Sequence, residues 1–175
     1  MSVFISEPDK YLVERKMEFR VFLETEEKKN VKNLLKMIPV GHRKLLDGYR
    51  FRYTPGNTLN GDKNHIGYIH HDKIVVAAPW NYSRGFTTLH EIAHLVWEKL
   101  MNKELKKEWS KLVKETKKQQ MAKFNRPAQK KSLDQEDEEI FCMSYAAKYC
   151  NHAPAIWQND RWFSFLDKVA KLQKD

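Results

Sequence analysis

Two histidines and a glutamate stand close together in the segment His90-Glu91-Ile92-Ala93-His94, which matches the pattern H-E-x-x-H. In a helix, side chains four residues apart lie one above the other, so His90 and His94 can reach the same metal ion. Glu91 then lies beside that ion, where its carboxylate can take a proton from a water molecule. The segment therefore predicts a zinc site with a general base.

The residues around this motif have the spacing of an amphipathic helix. Apolar side chains recur every three or four residues, at Phe86, Leu89, Ile92, Ala93, Val96, Trp97 and Leu100. The alternative interpretation is a chance match of five letters on an ordinary core helix. Because a pair of metal ligands needs a rigid helix to hold them, this context favours the metal site over the chance match.

A catalytic zinc needs a third protein ligand and an open position for water. The candidates are Glu136, Glu138 and Glu139, at the start of a helix that we predict from Asp134 to Tyr149. Acidic residues are common at helix starts because the helix dipole favours negative charge there. Their number alone therefore leaves open which of the three, if any, binds the metal.

Two segments resemble those of a known family. The run from Glu138 to Tyr149, Glu-Glu-Ile-Phe-Cys-Met-Ser-Tyr-Ala-Ala-Lys-Tyr, resembles the third-ligand helix of the anthrax lethal factor-like metallopeptidases. The Pro-Pro endopeptidases belong to that group. The run from Arg161 to Leu166 resembles the closing segment of the same domains, and the resemblance covers roughly residues 73–172.

The resemblance implies both a site and a fold. His90 and His94 would bind Zn²⁺ together with Glu139, and Glu91 would be the general base. The implied fold class is α+β, a zincin-like metallopeptidase fold of the gluzincin type. It has a small mixed sheet, the HExxH helix and a helical C-terminal half.

The directions of the three acidic side chains agree with this choice. Positions one or three residues apart on a helix point in different directions, so at most one acid should meet the metal squarely. Glu139 leads directly into the apolar body of the helix. Glu136 and Glu138 are flanked by other acids, and we expect both to face water.

The sequence departs from the family pattern at two positions. The family usually has a Tyr seven residues before the ligand Glu, thought to steady the oxyanion, and here that position is Ser132. It often has a carboxylate four residues after the ligand, and here that position is Met143. The sequence leaves four candidates for the oxyanion donor, namely Tyr145, Tyr149, Tyr82 and His152.

The elements that position the motif follow from the patterns on either side. We predict a single domain over 1–175, with an N-terminal extension of about 1–24. A helix and a β region follow over 25–79, and a helical metal-binding half over 80–175. Alternation and apolar runs predict strands over 49–53, 66–70 and 73–78, with 73–78 inside the sheet and 66–70 at its edge. Residues 17–24 alternate as a short strand does, and a helix that begins at Pro8 is the alternative there. Further helices are expected over 103–123 and 162–172, with a basic loop over 128–132.

The formal net charge of +9 is unevenly distributed. Residues 101–131 contain 11 Lys and Arg against 3 Glu, so most of the excess lies there. A solvated helix face explains such a run, and an acidic partner that binds over Lys103 to Lys131 is the functional alternative. No nucleic-acid motif accompanies the charge, so a nucleic-acid partner is not the expected one. A basic nucleic-acid-binding protein stays a third hypothesis, which a steep salt dependence of binding would reveal.

The remaining features suggest where the protein acts. No signal peptide and no apolar run long enough for a membrane span are evident. The chain has only 2 cysteines, which predicts no disulfide framework. We therefore expect a protein of the cytoplasm, or of a particle assembled inside a cell, with no membrane partner.

Together these patterns predict a zinc-dependent metallopeptidase that cleaves a protein or peptide substrate through a metal-activated water. The alternative is a non-catalytic structural or interaction protein that keeps zinc to stabilise the same scaffold. Peptidase activity that depends on zinc would distinguish the two.

Overall fold

The computed structural model describes residues 4–5, 29–53, 67–70, 73–76, 84–124, 126–150 and 153–175. The helices in these ranges are α1 (29–35), α2 (Val40–Arg43), α3 (Arg84–Lys99), α4 (Lys103–Ala122), α5 (Pro127–Leu133), α6 (Asp137–Tyr149) and α7 (Asp160–Val169). Short 3₁₀ turns cover Lys44–Leu46 and Ala155–Trp157. The strands are β1 (Phe4–Ile5), β2 (Arg50–Tyr53), β3 (Gly67–His70) and β4 (Lys73–Val76).

The four strands form one sheet in the order β1-β2-β4-β3. β2 pairs in parallel with both β1 and β4, and β3 pairs antiparallel with β4, where Gly67 lies opposite Val76. The apolar segment β4 is therefore inside the sheet and the more polar β3 is at its edge, as their patterns predict. Helix α3 packs against β3 and β4, so the edge strand lies beside the helix that carries the two histidines.

The predicted α+β class is wrong, because the described part of the chain is predominantly helical. The strands are short, with 2 residues in β1 and 4 in each of the others. Helices α3 and α4 alone contain 16 and 20 residues. The sheet is therefore a minor part of the described chain, and the apolar runs locate its strands without showing how small its share is beside the helices. The strand predicted over 17–24 lies outside the described residues.

Three predicted boundaries also change, and one of them is the closing helix, which covers Asp160–Val169 instead of 162–172. The segment 128–132, expected as a loop, belongs to α5, which has Pro127 in its first turn, where a missing backbone N–H costs nothing. Its last residue, Leu133, is fully buried and fixes this short helix to the core. Helix α6 begins at Asp137 instead of Asp134.

Tryptophan side chains hold the helical layer together. Trp109 of α4 is fully buried and donates a hydrogen bond of 2.7 Å to the backbone carbonyl of Asp137, at the start of α6. Its ring lies 5.5 Å from that of Phe141. Trp162 of α7 donates to the hydroxyl of Thr116 on α4 at 2.8 Å. Truncating a buried Trp to Ala costs about 3–5 kcal/mol, so these contacts fix the position of α6.

A buried histidine joins the three helices α2, α6 and α7. His42 of α2 is fully buried, with Nε2 2.9 Å from the carbonyl oxygen of Val169 and Nδ1 2.8 Å from the hydroxyl of Tyr145. A carbonyl only accepts, so Nε2 carries the proton and Tyr145 donates to Nδ1. Burial lowers the pKa of His42 below its ordinary value, which the hydrogen bond to Val169 only partly offsets. His42 is therefore a neutral structural side chain.

Candidate metal centre

Helix α3 brings the two histidines of the motif together. Nε2 of His90 lies 3.3 Å from Nε2 of His94, and the ring centroids are 4.9 Å apart at an interplanar angle of 81°. Most of the remaining side chains of α3 are buried, among them Leu89, Ile92 and Ala93. The buried face therefore holds the helix, and both imidazoles point to one place.

Helix α6 supplies the third member of the cluster. It packs against α3 more extensively than any other pair of elements does. At its first turn, Oε2 of Glu139 lies 3.2 Å from Nε2 of His90, and Oε1 lies 3.1 Å from Nε2 of His94. Within the described residues, these three side chains are the group whose ligand atoms could hold one metal ion. The structure thus brings together the three residues that the sequence and the resemblance predict as ligands.

The distances within this cluster are short enough for the three side chains to share one metal ion. Zinc–nitrogen and zinc–oxygen bonds of about 2.0–2.1 Å place neighbouring ligand atoms of a tetrahedron about 3.3–3.4 Å apart. The two Nε2 atoms lie 3.3 Å apart, and each contacts a different carboxylate oxygen of Glu139, at 3.2 Å from His90 and 3.1 Å from His94. These residues could therefore hold a metal ion.

A second carboxylate supports one of the histidines. Oε1 of Glu138 lies 2.9 Å from Nδ1 of His94. The expectation that Glu138 faces water is therefore wrong, although its side chain is 39% exposed. When His94 is neutral, the Glu138 carboxylate accepts the proton of Nδ1 and Nε2 keeps its lone pair for a metal, whereas the protonated ring donates from both nitrogens, to Glu138 and to Glu139. The sequence analysis does not predict this contact between Glu138 and His94. The feature of the sequence that points toward it is the adjacent pair Glu138-Glu139.

The charges in the cluster depend on one another. Burial on its own lowers the pKa of His94, but hydrogen bonds to Glu139 and Glu138 outweigh it and raise that pKa to about 9. The hydrogen bond from His90, followed by that from His94, holds the pKa of the Glu139 carboxyl well below its ordinary value. Glu139 is therefore ionised at neutral pH, and protons compete with a metal for His94.

Glu91 lies in contact with the edge strand of the sheet. Its side chain is almost completely buried, at 7% exposure. A Cβ atom added to Gly67 of β3 would lie 2.7 Å from Oε1 of Glu91 and 3.1 Å from its Cδ. No larger residue fits at position 67 unless the carboxylate moves. The sequence carried one hint of this close approach, since a glycine inside a strand often marks a place where another group comes near the backbone.

The proposed oxyanion donors do not come together at the cluster. Tyr145 is fully buried and donates its hydroxyl to His42, so its prediction as a donor is wrong. Tyr149 lies ten residues beyond Glu139 on α6, about 15 Å along the helix axis. It packs edge-to-face on Tyr145, so its prediction is also wrong. Tyr82 and His152 lie outside the described residues.

The two positions that depart from the family pattern have structural contacts of their own. The hydroxyl of Ser132 donates to the backbone carbonyl of Ala128 at 3.0 Å, within α5. Met143 is partly buried against the hydrophobic core. In the described part of the chain, neither residue contacts His90, His94 or Glu139. The second carboxylate near the cluster is that of Glu138, which precedes Glu139.

Comparisons with known proteins do not extend this description. No protein-family model, curated protein or solved structure significantly matches the chain. None of the helices in the described ranges is long and apolar enough to cross a membrane. The functional conclusion therefore depends on the geometry of the cluster and on the chemistry of its residues.

Proposed function

We propose that this chain is a zinc-dependent metallopeptidase. One observation carries the proposal: the ligand atoms of His90, His94 and Glu139 converge at separations of 3.1 to 3.3 Å. On the same helix, Glu91 follows His90 directly. Three ligands with a neighbouring carboxylate are the composition of a catalytic zinc site, whereas structural zinc sites usually close with a fourth protein ligand.

Zinc suits this set of donors better than a harder cation does. Two imidazoles and one carboxylate are ligands that Zn²⁺ accepts, whereas Mg²⁺ and Ca²⁺ prefer oxygen ligands alone. When bound, Zn²⁺ would polarise the carbonyl of a peptide bond and make water a stronger acid. Glu138 would keep His94 in the tautomer that binds metal, through its contact with Nδ1.

Glu91 would move the proton during hydrolysis. Its carboxylate is buried between α3 and β3 and is held against the backbone of Gly67. From there it would accept a proton from the attacking water and then donate it to the amine that leaves. One carboxylate would thus act first as a base and then as an acid, and proton transfer of this kind typically contributes about 10²–10⁴-fold to the rate.

The edge strand β3 is the part of the structure that would bind an extended substrate. It pairs with β4 on one side and packs beside α3 through its first residue, Gly67. A peptide that adds to the outer edge of β3 would form main-chain hydrogen bonds and pass close to Glu91. The proposed substrate class is therefore a polypeptide in an extended conformation. The resemblance to the lethal factor-like enzymes supports the same class.

One observation favours a second candidate, a non-catalytic protein that uses zinc for stability. The hydroxyl of Tyr145 donates to His42, and Tyr149 lies about 15 Å beyond Glu139 along the axis of α6. Neither hydroxyl is therefore placed to donate to an oxyanion at the cluster. Loss of one such donor in other enzymes costs about 10²–10³-fold in rate. A scaffold that retains its metal ligands but has lost transition-state groups would still bind zinc.

Metal analysis combined with a peptidase assay tests the proposal. The purified protein should contain about one zinc per chain by elemental analysis, as a single three-ligand site holds one ion. It should cleave members of a random peptide mixture, lose this activity with a chelator and regain it with Zn²⁺. Full zinc content without any cleavage would support the structural candidate, and no zinc binding would overturn both.

A further inference from the structure

Five lysines form a continuous stripe along the outer face of α4. Lys103, Lys107, Lys111, Lys114 and Lys118 recur at spacings of four, four, three and four residues, and all five are exposed. At 1.5 Å per residue the stripe is about 22 Å long. The buried side of α4, with Trp109, Val113 and Thr116, is on the opposite face. The stripe is therefore directed away from the core.

The lysines of the stripe have no counter-charges within the described part of the chain. None of the five forms an ion pair with a described residue. The acids of α4 lie beside the stripe, and two of them pair instead with α7: Glu108 with Lys168, and Glu115 with Arg161 at 3.0 Å. Glu108 and Glu115 are therefore held toward α7, and the five stripe lysines remain without an ion pair among the described residues.

The structure also provides a concave surface next to the stripe. Lys111 and Lys114 line a shallow groove on the side of α4 that faces the start of α6. Lys117 lines the same groove and lies 3.6 Å from a carboxylate oxygen of Asp134. Asp137 also contributes to the lining. Three lysines against one lining carboxylate leave this groove with a positive balance.

We propose that the lysine stripe is a docking surface for an acidic polypeptide segment. An extended chain places alternate side chains on one side about 7 Å apart. The lysines recur about 4.5–6 Å apart along α4. Because lysine side chains are long and flexible, they can adjust to the spacing of acidic side chains along such a peptide. A length of about 22 Å corresponds to roughly seven residues of extended chain. The proposal requires neither a metal nor catalysis, so it is independent of the proposed peptidase function.

Two features favour a polypeptide over a nucleic acid. Glu104, Glu108 and Glu115 run along one side of the stripe and are exposed. A narrow peptide can follow the lysines alone, whereas a wider phosphate backbone would meet these carboxylates as well. The exposed large hydrophobic side chains of the described residues are Met37 and Val40, so within these residues no fully exposed aromatic side chain provides a platform on which bases could stack.

Fluorescence anisotropy with the full chain tests this proposal. The probe is a labelled peptide of about twelve residues in which Glu and Ser alternate, long enough to span the stripe. The test variant replaces all five stripe lysines with Gln. The matched control replaces five other exposed lysines with Gln, at Lys29, Lys32, Lys36, Lys171 and Lys174. Both variants lose the same charge, and circular dichroism confirms that both fold.

The proposal expects the stripe variant to bind the peptide at least about 10-fold more weakly than the control variant does, with a smaller dependence on salt. Three results would overturn it. Equal losses in the two variants would show that net charge alone attracts the peptide. Absence of peptide binding by the unmodified protein at ~0.15 M salt would show that the stripe is only a solvated face. Tighter, stripe-dependent binding of a DNA strand of the same charge would identify nucleic acid as the partner instead.

Discussion

Nδ1 of His94 and Oε1 of Glu138 lie 2.9 Å apart. The same helix turn that directs Glu139 toward both histidines thus also fixes the orientation of one of them. Adjacent helix positions differ by about 100° in direction. Glu138 can therefore contact Nδ1 of His94 while Glu139 contacts Nε2 of the same ring. The first turn of α6 therefore supplies one candidate metal ligand, Glu139, and one carboxylate that orients His94, Glu138.

The first prediction concerns Glu138. Replacing it with Ala removes the acceptor for Nδ1 of His94 and should lower zinc affinity about 10- to 100-fold. Competition with a chromophoric chelator measures this loss. Glu138→Gln keeps an acceptor oxygen and should lie between Ala and the unmodified protein. Glu136 is exposed, so Glu136→Ala is the control and should bind zinc normally. Equal affinity in both Ala variants would show that Glu138 does not support the site.

The second prediction concerns Glu139, which contacts both histidines. Glu139→Ala should lose more zinc affinity than Glu138→Ala, because it removes a ligand and not its support. Zinc stabilises only the folded state, so added zinc should raise the Tm of the unmodified protein but leave that of Glu139→Ala nearly unchanged. A normal zinc-dependent rise in the Tm of this variant would exclude Glu139 as a ligand.

The third prediction concerns Gly67, whose added Cβ would lie 2.7 Å from the carboxylate of Glu91. Gly67→Ala should displace the carboxylate of Glu91. This movement should cost little stability, but it should take the carboxylate away from the position in which it accepts a proton from the attacking water. We expect kcat to fall by about 10- to 100-fold while zinc content stays normal.

Gly48 provides the control for this experiment, since it has a positive φ of 83° and no neighbours around its Cβ position. Gly48→Ala should lose roughly 1 kcal/mol of stability with no change in kcat. If Gly67→Ala loses stability and keeps its kcat, the strand does not position Glu91.

The fourth prediction is a pH dependence of stability due to His42. Burial lowers its pKa in the folded protein, so the unfolded chain binds the proton more readily. The contribution of His42 is therefore complete above its ordinary pKa of about 6.5. It is lost on acidification, by up to about 1.4 kcal/mol per pH unit, until the pH reaches the lowered pKa of the folded protein.

Urea unfolding at pH 7.5, 6.5 and 5.5 measures this effect. The free energy of unfolding of the unmodified protein should fall more steeply with acidification than that of His42→Gln, which has no titrating group at this position. Parallel pH profiles for the two proteins would show that His42 is not held neutral by its contacts with Val169 and Tyr145.

The parts of the site that sequence predicts well are those encoded locally. His90, Glu91 and His94 lie within one helix turn and a half, and the apolar spacing of α3 defines their direction. Glu139 is 45 residues from His94, and the family resemblance was needed to choose it among three acids. Local patterns locate the short strands β2, β3 and β4 but do not show that helices dominate the described part of the chain, so the predicted α+β class is wrong.

The remaining features depend on packing between distant segments. The contact of Glu138 with His94 requires the position of α6 on α3. The hydrogen bond between His42 and Tyr145 joins residues 103 positions apart, and no local pattern shows that this hydroxyl is already engaged. Gly67 approaches Glu91 only because the edge of the sheet rests on α3. Side-chain spacing along one helix contains none of this information.

The most direct test of the account is the rate of peptide hydrolysis by Glu91→Gln and by the unmodified protein, compared at equal zinc content. The amide of Gln has nearly the shape of the carboxylate but neither accepts nor returns a proton at this step. We predict that the variant binds zinc and folds normally and that its kcat is lower by at least about 100-fold. Equal rates in the two zinc-loaded proteins would contradict the assignment of Glu91 as the general base. Absence of hydrolysis by the zinc-loaded unmodified protein would contradict the peptidase function itself.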